Sequence, residues 1–142
     1  MLSNAIFFTH VISTFMWFGI IWFVQLIHYP LLYQLGHRAE SEHYRRTMPL
    51  AVSLLSVELV TGTLLLWIRP ATIPLTPVVI GLALLAAIWI STWSVCVPCH
   101  QKLHTRKNIH LYQRLMSANL FRAILWSLRV MIVIWMLMFV MK

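Results

Sequence analysis

The chain has 142 residues, of which 61% are hydrophobic and 10% are charged; soluble domains carry about 25% charged residues. With a mean hydropathy of +0.81, this excludes a disordered chain and argues against an ordinary soluble domain. The net charge of +8 does not describe a nucleic-acid surface, because most basic residues sit between apolar runs and not along one polar face.

A single domain with four membrane-spanning helices fits the length, since each span needs about 20 apolar residues. The spans are expected at residues 6–32, 49–68, 76–97 and 117–141, an all-α integral membrane four-helix bundle. The first is long and lacks a small-residue cleavage site after it, so it reads as a retained helix and not as a removed signal peptide. The second places Pro49 in its first turn, where a missing N–H costs nothing. The run from Arg69 to Leu75, with Pro70 and Pro74, predicts a tight turn between the second and third spans. Residues 33–48 form a polar connector in which 39–46 continues as helix, and residues 99–116 form a second, basic connector whose 109–116 segment already belongs to the fourth helix.

The two long connectors carry Arg38, Arg45, Arg46, Lys102, Arg106, Lys107 and Arg114, whereas the opposite side has Arg69 and Lys142. Basic residues favour the cytoplasmic side. The expected topology is therefore multi-pass in an inner membrane, with the connectors in the cytoplasm and both termini facing outward.

Ionisable groups are costly inside a bilayer unless paired or wetted. Glu58 and Arg129 are matched in depth and opposite in charge, which predicts a buried ion pair, either structural or part of a proton or ligand site. His10, Thr14, Trp17, Gln25 and His28 share one face of the first span, with His10 near the outer end and His28 near the inner end, too far apart for one metal ion. Asn119, Arg122, Trp126 and Arg129 share a face of the fourth span. His28, His100, Asn119 and Arg122 fall at similar depth, with His43 in reach, which predicts a pocket opening toward the cytoplasm. Arg122 either snorkels to the surface or binds carboxylates or phosphates. His37, His104 and His110 are expected to be solvated.

Two cysteines are too few for a disulfide framework. Cys96-Val97-Pro98-Cys99-His100 matches both the c-type haem attachment pattern and a thiol redox pattern, but its expected cytoplasmic, helix-end position suits neither. Packing of two small side chains, or a metal set of Cys96, Cys99, His100 and His104, are the other readings.

The run His10-Val11-Ile12-Ser13-Thr14-Phe15-Met16-Trp17-Phe18-Gly19 resembles the first helix of membrane protoporphyrinogen oxidases of the haem b type and, more loosely, helices of the copper-resistance D family. Those helices carry a histidine, a tryptophan about two turns on, a small residue and a closing proline; Pro30 here lies several residues later. His28-Tyr29-Pro30, the Glu58 helix, Val97-Pro98 with His100, and the Asn119–Arg129 stripe are together similar to a small four-helix bacterial membrane family. That wider likeness implies a fold and a bacterial membrane but no particular activity. The first likeness implies haem b with His10 at the ligand position.

The leading expectation is a haem-binding redox protein. Iron is held either by His10, with methionine from the Met136/Met138 region or no protein group opposite, or by His28 and His100 with Arg122 near the propionates. Quinone, porphyrin or an electron-transfer protein would be the partner, association with further copies is open, and no nucleic acid is expected. The alternatives are a non-redox binding or permeation protein for a metal ion or small anion, and a structural or assembly subunit.

Overall fold

A computed structural model describes residues 1–35, 37–103 and 108–141. Among these the chain is helical without a strand. Four helices are long and apolar enough to cross a membrane: Leu2–Leu32, Ser41–Leu64, Leu75–Leu103 and Ile109–Val140.

Helix α1 (Leu2–Phe23) passes through a π-helical turn, Val24–His28, into α2 (Tyr29–Leu35). Helix α3 covers His37–Leu64. Helix α4 (Leu75–Ser91) passes through a second π-turn, Thr92–Cys96, into α5 (Val97–Leu103), and α6 covers Ile109–Val140. Each π-turn ends two residues before a proline, Pro30 or Pro98. A proline ring clashes with the carbonyl four residues earlier and offers no N–H. Here that carbonyl lies within the widened turn in both helices, so the helix continues past the proline.

The boundaries differ from expectation in several places. The first connector is helical up to Leu35 and again from His37, so Pro49 lies in the interior of α3 and not in its first turn. Ala39, Glu40, Glu42, Arg45 and Arg46 are good helix formers, and Glu42 accepts from both Arg45 and Arg46 one turn on. The second helix stops at Leu64, four residues early, because the chain then turns under Arg69. Arg69 Nε donates to the Ile73 carbonyl at 3.0 Å and Nη1 to that of Leu66 at 2.9 Å, satisfying two carbonyls of the turn between the helices. The third helix extends to Leu103 instead of ending at 97. Asn108 caps α6, its Oδ1 accepting from the backbone N–H of His110 at 2.9 Å and of Leu111 at 3.3 Å.

The helices alternate in direction. Helix α6 packs on α1 and α4, and α1 on α3. Three apolar layers follow. Phe7, Leu65, Ile73, Val133 and Met136 lie at the turn end. Trp17, Ile21, Leu55, Ile88 and Trp126 fill the middle. Tyr29, Leu32, Cys99, Leu103 and Leu115 lie at the connector end. The outward faces are also apolar: Ile12, Ile90 and Met131 are each more than 60% exposed, as suits contact with acyl chains and not with water.

Candidate functional site: a charge cluster and a cavity on either side of two stacked indoles

Polar side chains inside the bundle form two groups. In the first, Arg129 of α6 donates to Glu58 of α3 and to the Gly81 carbonyl of α4. Glu58 Oε1 also accepts from Ser13 Oγ at 2.5 Å and Thr14 Oγ1 at 2.9 Å, both on α1. All four long helices therefore meet at one ion pair. Glu58 is fully buried and Arg129 is 1% exposed.

His10, expected toward the outer end of the first span, belongs to this group, a pairing that the sequence did not indicate. Helix α1 begins at Leu2, four residues before the expected start, so His10 sits about 12 Å into it at 1.5 Å per residue. Its Nε2 lies 3.4 Å from Arg129 Nη2. Arginine has no acceptor, so Nε2 must accept. The proton then resides on Nδ1, which is 2.9 Å from Thr61 Oγ1 and 3.6 Å from Glu58 Oε2. Thr61 gives its own proton to the Val57 carbonyl at 2.7 Å and is free to accept. The geometry thus assigns a neutral His10 with both nitrogens engaged, beside a compensated carboxylate and guanidinium.

Ser13 and Thr61 were not singled out in the sequence. Each lies three residues from a recognised member, His10 and Glu58, so the helical spacing held that signal. The Gly81 carbonyl left none, because a backbone acceptor depends only on the close approach of α6.

The second group lies at the connector end. His28 Nε2 is 2.6 Å from His43 Nδ1, and Tyr29 Oη is 3.2 Å from His100 Nε2. The rings of His43 and His100 are 6.1 Å apart, and Tyr44 lies 5.3 Å from His100. Asn119 and Arg122 form a neighbouring network. Arg122 donates to Asn119 Oδ1 at 2.9 Å and Thr92 Oγ1 at 3.3 Å, and Asn119 Nδ2 donates to Gln25 Oε1 at 2.9 Å. Tyr29 and Tyr44 are members that sequence reasoning missed.

A partly open cavity of about 140 Å³ joins the two networks, walled by residues including Trp17, Ile88, His43, His100, Arg122 and Trp126. Leu50, 56% exposed, stands at its rim. Both π-turns border it through Val24, Thr92 and Cys96, and π-bulges are frequent at functional sites. Its floor is the stacked pair Trp17 and Trp126, 5.4 Å apart and inclined by 13°. Arg129 lies 5.1 Å from the Trp126 ring, so these indoles separate the cavity from the charge cluster. The indole N–H of Trp17 has no hydrogen-bond partner among the described residues, an arrangement that costs about 1–3 kcal/mol when the donor stays dry.

Haem b fits these residues poorly. His10 would have to release Arg129 or Thr61 to bind iron. His28 and His100 engage His43 and Tyr29 through Nε2, so an axial pair would have to use Nδ1 or give up these contacts. An apolar cavity of roughly 150 Å³ takes up benzene, so this one accommodates a ring or a chain segment and not a macrocycle. Among the described residues no group of three or more His, Cys, Asp or Glu is placed to hold a metal ion. Cys96 and Cys99 are unlinked and buried among the connector-end apolar side chains. His104 and the side chain of His37 lie outside the described residues, and His110 is exposed.

No protein-family model, no curated protein and no solved structure matches the chain.

Proposed function

We propose that this is a multi-pass membrane protein, with its connectors in the cytoplasm, that binds a lipid-soluble amphipathic molecule in the connector-end cavity. The observation that carries this reading is the cavity itself, an apolar space beneath a rim of Arg122, His43 and His100 and above two stacked indoles. Apolar walls with a few convergent polar groups are the usual make-up of small-molecule sites. The exposed Leu50 at the rim gives a route from the acyl phase. A single ring or an acyl segment fills the enclosed space while a polar head meets the rim. The mid-bundle charge cluster then serves as the lock that fixes the helices around the cavity.

The test is tryptophan quenching by dibrominated stearate methyl ester in lipid nanodiscs. Wild type is expected to show a saturable component, and Ala51→Phe, which fills the cavity from its α3 wall, is expected to lose it. Thr47→Phe, at a second wall position, repeats the comparison independently of any one variant's folding. Identical quenching in wild type and in both filled variants overturns the proposal. The haem function implied by the first-helix resemblance makes a separate prediction, a Soret band in the purified protein. A colourless protein that takes up the ester decides for binding without haem.

A further inference from the structure

Two arginines lie seven residues apart on α6, and their surroundings differ in one respect. Arg129 is bound to a carboxylate, Glu58. Arg122 donates to two neutral groups, Asn119 and Thr92, and lies beside the Cys96 thiol. Those groups are themselves fixed: Asn119 donates to Gln25 in the first π-turn, and the Thr92 hydroxyl donates to the Ile88 carbonyl at 2.7 Å. Three segments thus orient the guanidinium, and none neutralises it. The other described carboxylate, Glu42, is held by Arg45 and Arg46. Arg122 Nε has no hydrogen-bond partner among the described residues. A guanidinium cannot shed its charge by losing a proton. Positioned on a cavity wall without a counter-charge among the described residues, it is a preformed fork for an oxyanion.

We propose that Arg122 is the head-group site of the cavity, binding one oxyanion, a carboxylate or a phosphate, on a molecule whose apolar part rests against Trp17 and Trp126. The inference rests on the binding reading above and names its ligand as an acid. The same chemistry is available from an acidic lipid or fatty acid in the bilayer and from a free anion entering from the cytoplasm.

The experiment compares dibrominated stearic acid with its methyl ester, by saturable quenching of the full chain in nanodiscs of neutral lipid. The acid is expected to bind wild type at least about tenfold more tightly than the ester, the scale of one charge-assisted hydrogen bond. Arg122→Gln is expected to abolish that preference, bringing the acid down to the affinity of the ester in the same variant, and Arg122→Lys, which keeps the charge, to retain part of it. Displacement of the acid by millimolar inorganic phosphate assigns the free anion as the source. Its persistence against phosphate assigns the acyl acid. Equal binding of acid and ester by wild type, or a preference that survives Arg122→Gln, overturns the head-group assignment and leaves the cavity reading standing. Saturable binding of neither probe refutes the cavity reading instead.

Discussion

Replacing Glu58 or Arg129 by leucine, singly and together, separates the lock from its parts. Removing one member of a buried ion pair strands the other charge, which costs about 3–5 kcal/mol. Arg129→Leu leaves the Glu58 carboxylate with only the Ser13 and Thr14 hydroxyls and the His10 ring. Glu58→Leu leaves the guanidinium with the Gly81 carbonyl, His10 Nε2 and the Trp126 face. Neither remainder carries an opposite charge, so both single variants are expected near the top of that range. Independent effects would add to about 6–10 kcal/mol, which exceeds the total stability of many proteins. The double variant strands no charge, and replacing a buried pair by apolar side chains is often neutral or stabilising. It is expected to lose less than either single variant, a coupling of several kcal/mol. Unfolding by SDS in mixed micelles, followed by tryptophan fluorescence, measures all three. Glu58→Gln and Arg129→Lys supply milder points if a leucine variant does not fold. Single variants within about 0.5 kcal/mol of wild type, or a double variant equal to the sum of the singles, would refute the reasoning, because surface-like or independent groups behave that way.

Three further outcomes follow from local geometry. A Cβ at Gly62 would meet Leu82 Cδ2 at 3.1 Å and His10 Cε1 at 3.3 Å; the His10 ring is held at both nitrogens, so Gly62→Ala should lose about 1 kcal/mol in the same assay despite its gain in helix propensity. Gly81→Ala, whose Cβ would have only ordinary contacts at 3.8 and 3.9 Å, should be neutral or up to about 1 kcal/mol stabilising, and the reverse order of the two variants would contradict the packing described. Asn108→Ala removes the α6 cap and should cost about 1 kcal/mol, with Asn108→Asp restoring it; hydrogen exchange at His110 and Leu111 reads the effect directly. A cysteine placed at Thr72, in the turn, should react with a membrane-impermeant maleimide from outside intact cells and one at Ser41 should not, and the opposite pattern would invert the proposed topology.

Much of the architecture was legible because apolar length and proline punctuation report directly on it. Glu58 and Arg129 could be read as depth partners since both lie well inside unbroken helix. Side-chain facing was less legible beyond the π-turns. A π-turn accommodates one extra residue, which rotates everything after it by about 100° relative to a regular helix. The count that puts His10 and His28 on one face crosses Val24–His28, and any count along the third span to His100 crosses Thr92–Cys96. His28 meets His43, which the depth argument places in reach, and His100 meets Tyr29, which it does not foresee. The helical run over residues 39–46 is legible from its good helix formers; its continuation through Pro49 into the second span is not, because a proline there reads as a helix start. His10 joins the ion pair through the packing of α1 on α3 and α6, which its place in the first span does not reveal.

The most direct test of ligand binding in the cavity is a crystal structure grown from a lipidic mesophase with dibrominated stearate methyl ester, recorded at the bromine edge. An anomalous peak between the Trp17–Trp126 pair and the Arg122 rim is the result expected here. Bromine signal found only along the outward helix faces, with the cavity holding water or closed by side chains, would contradict it.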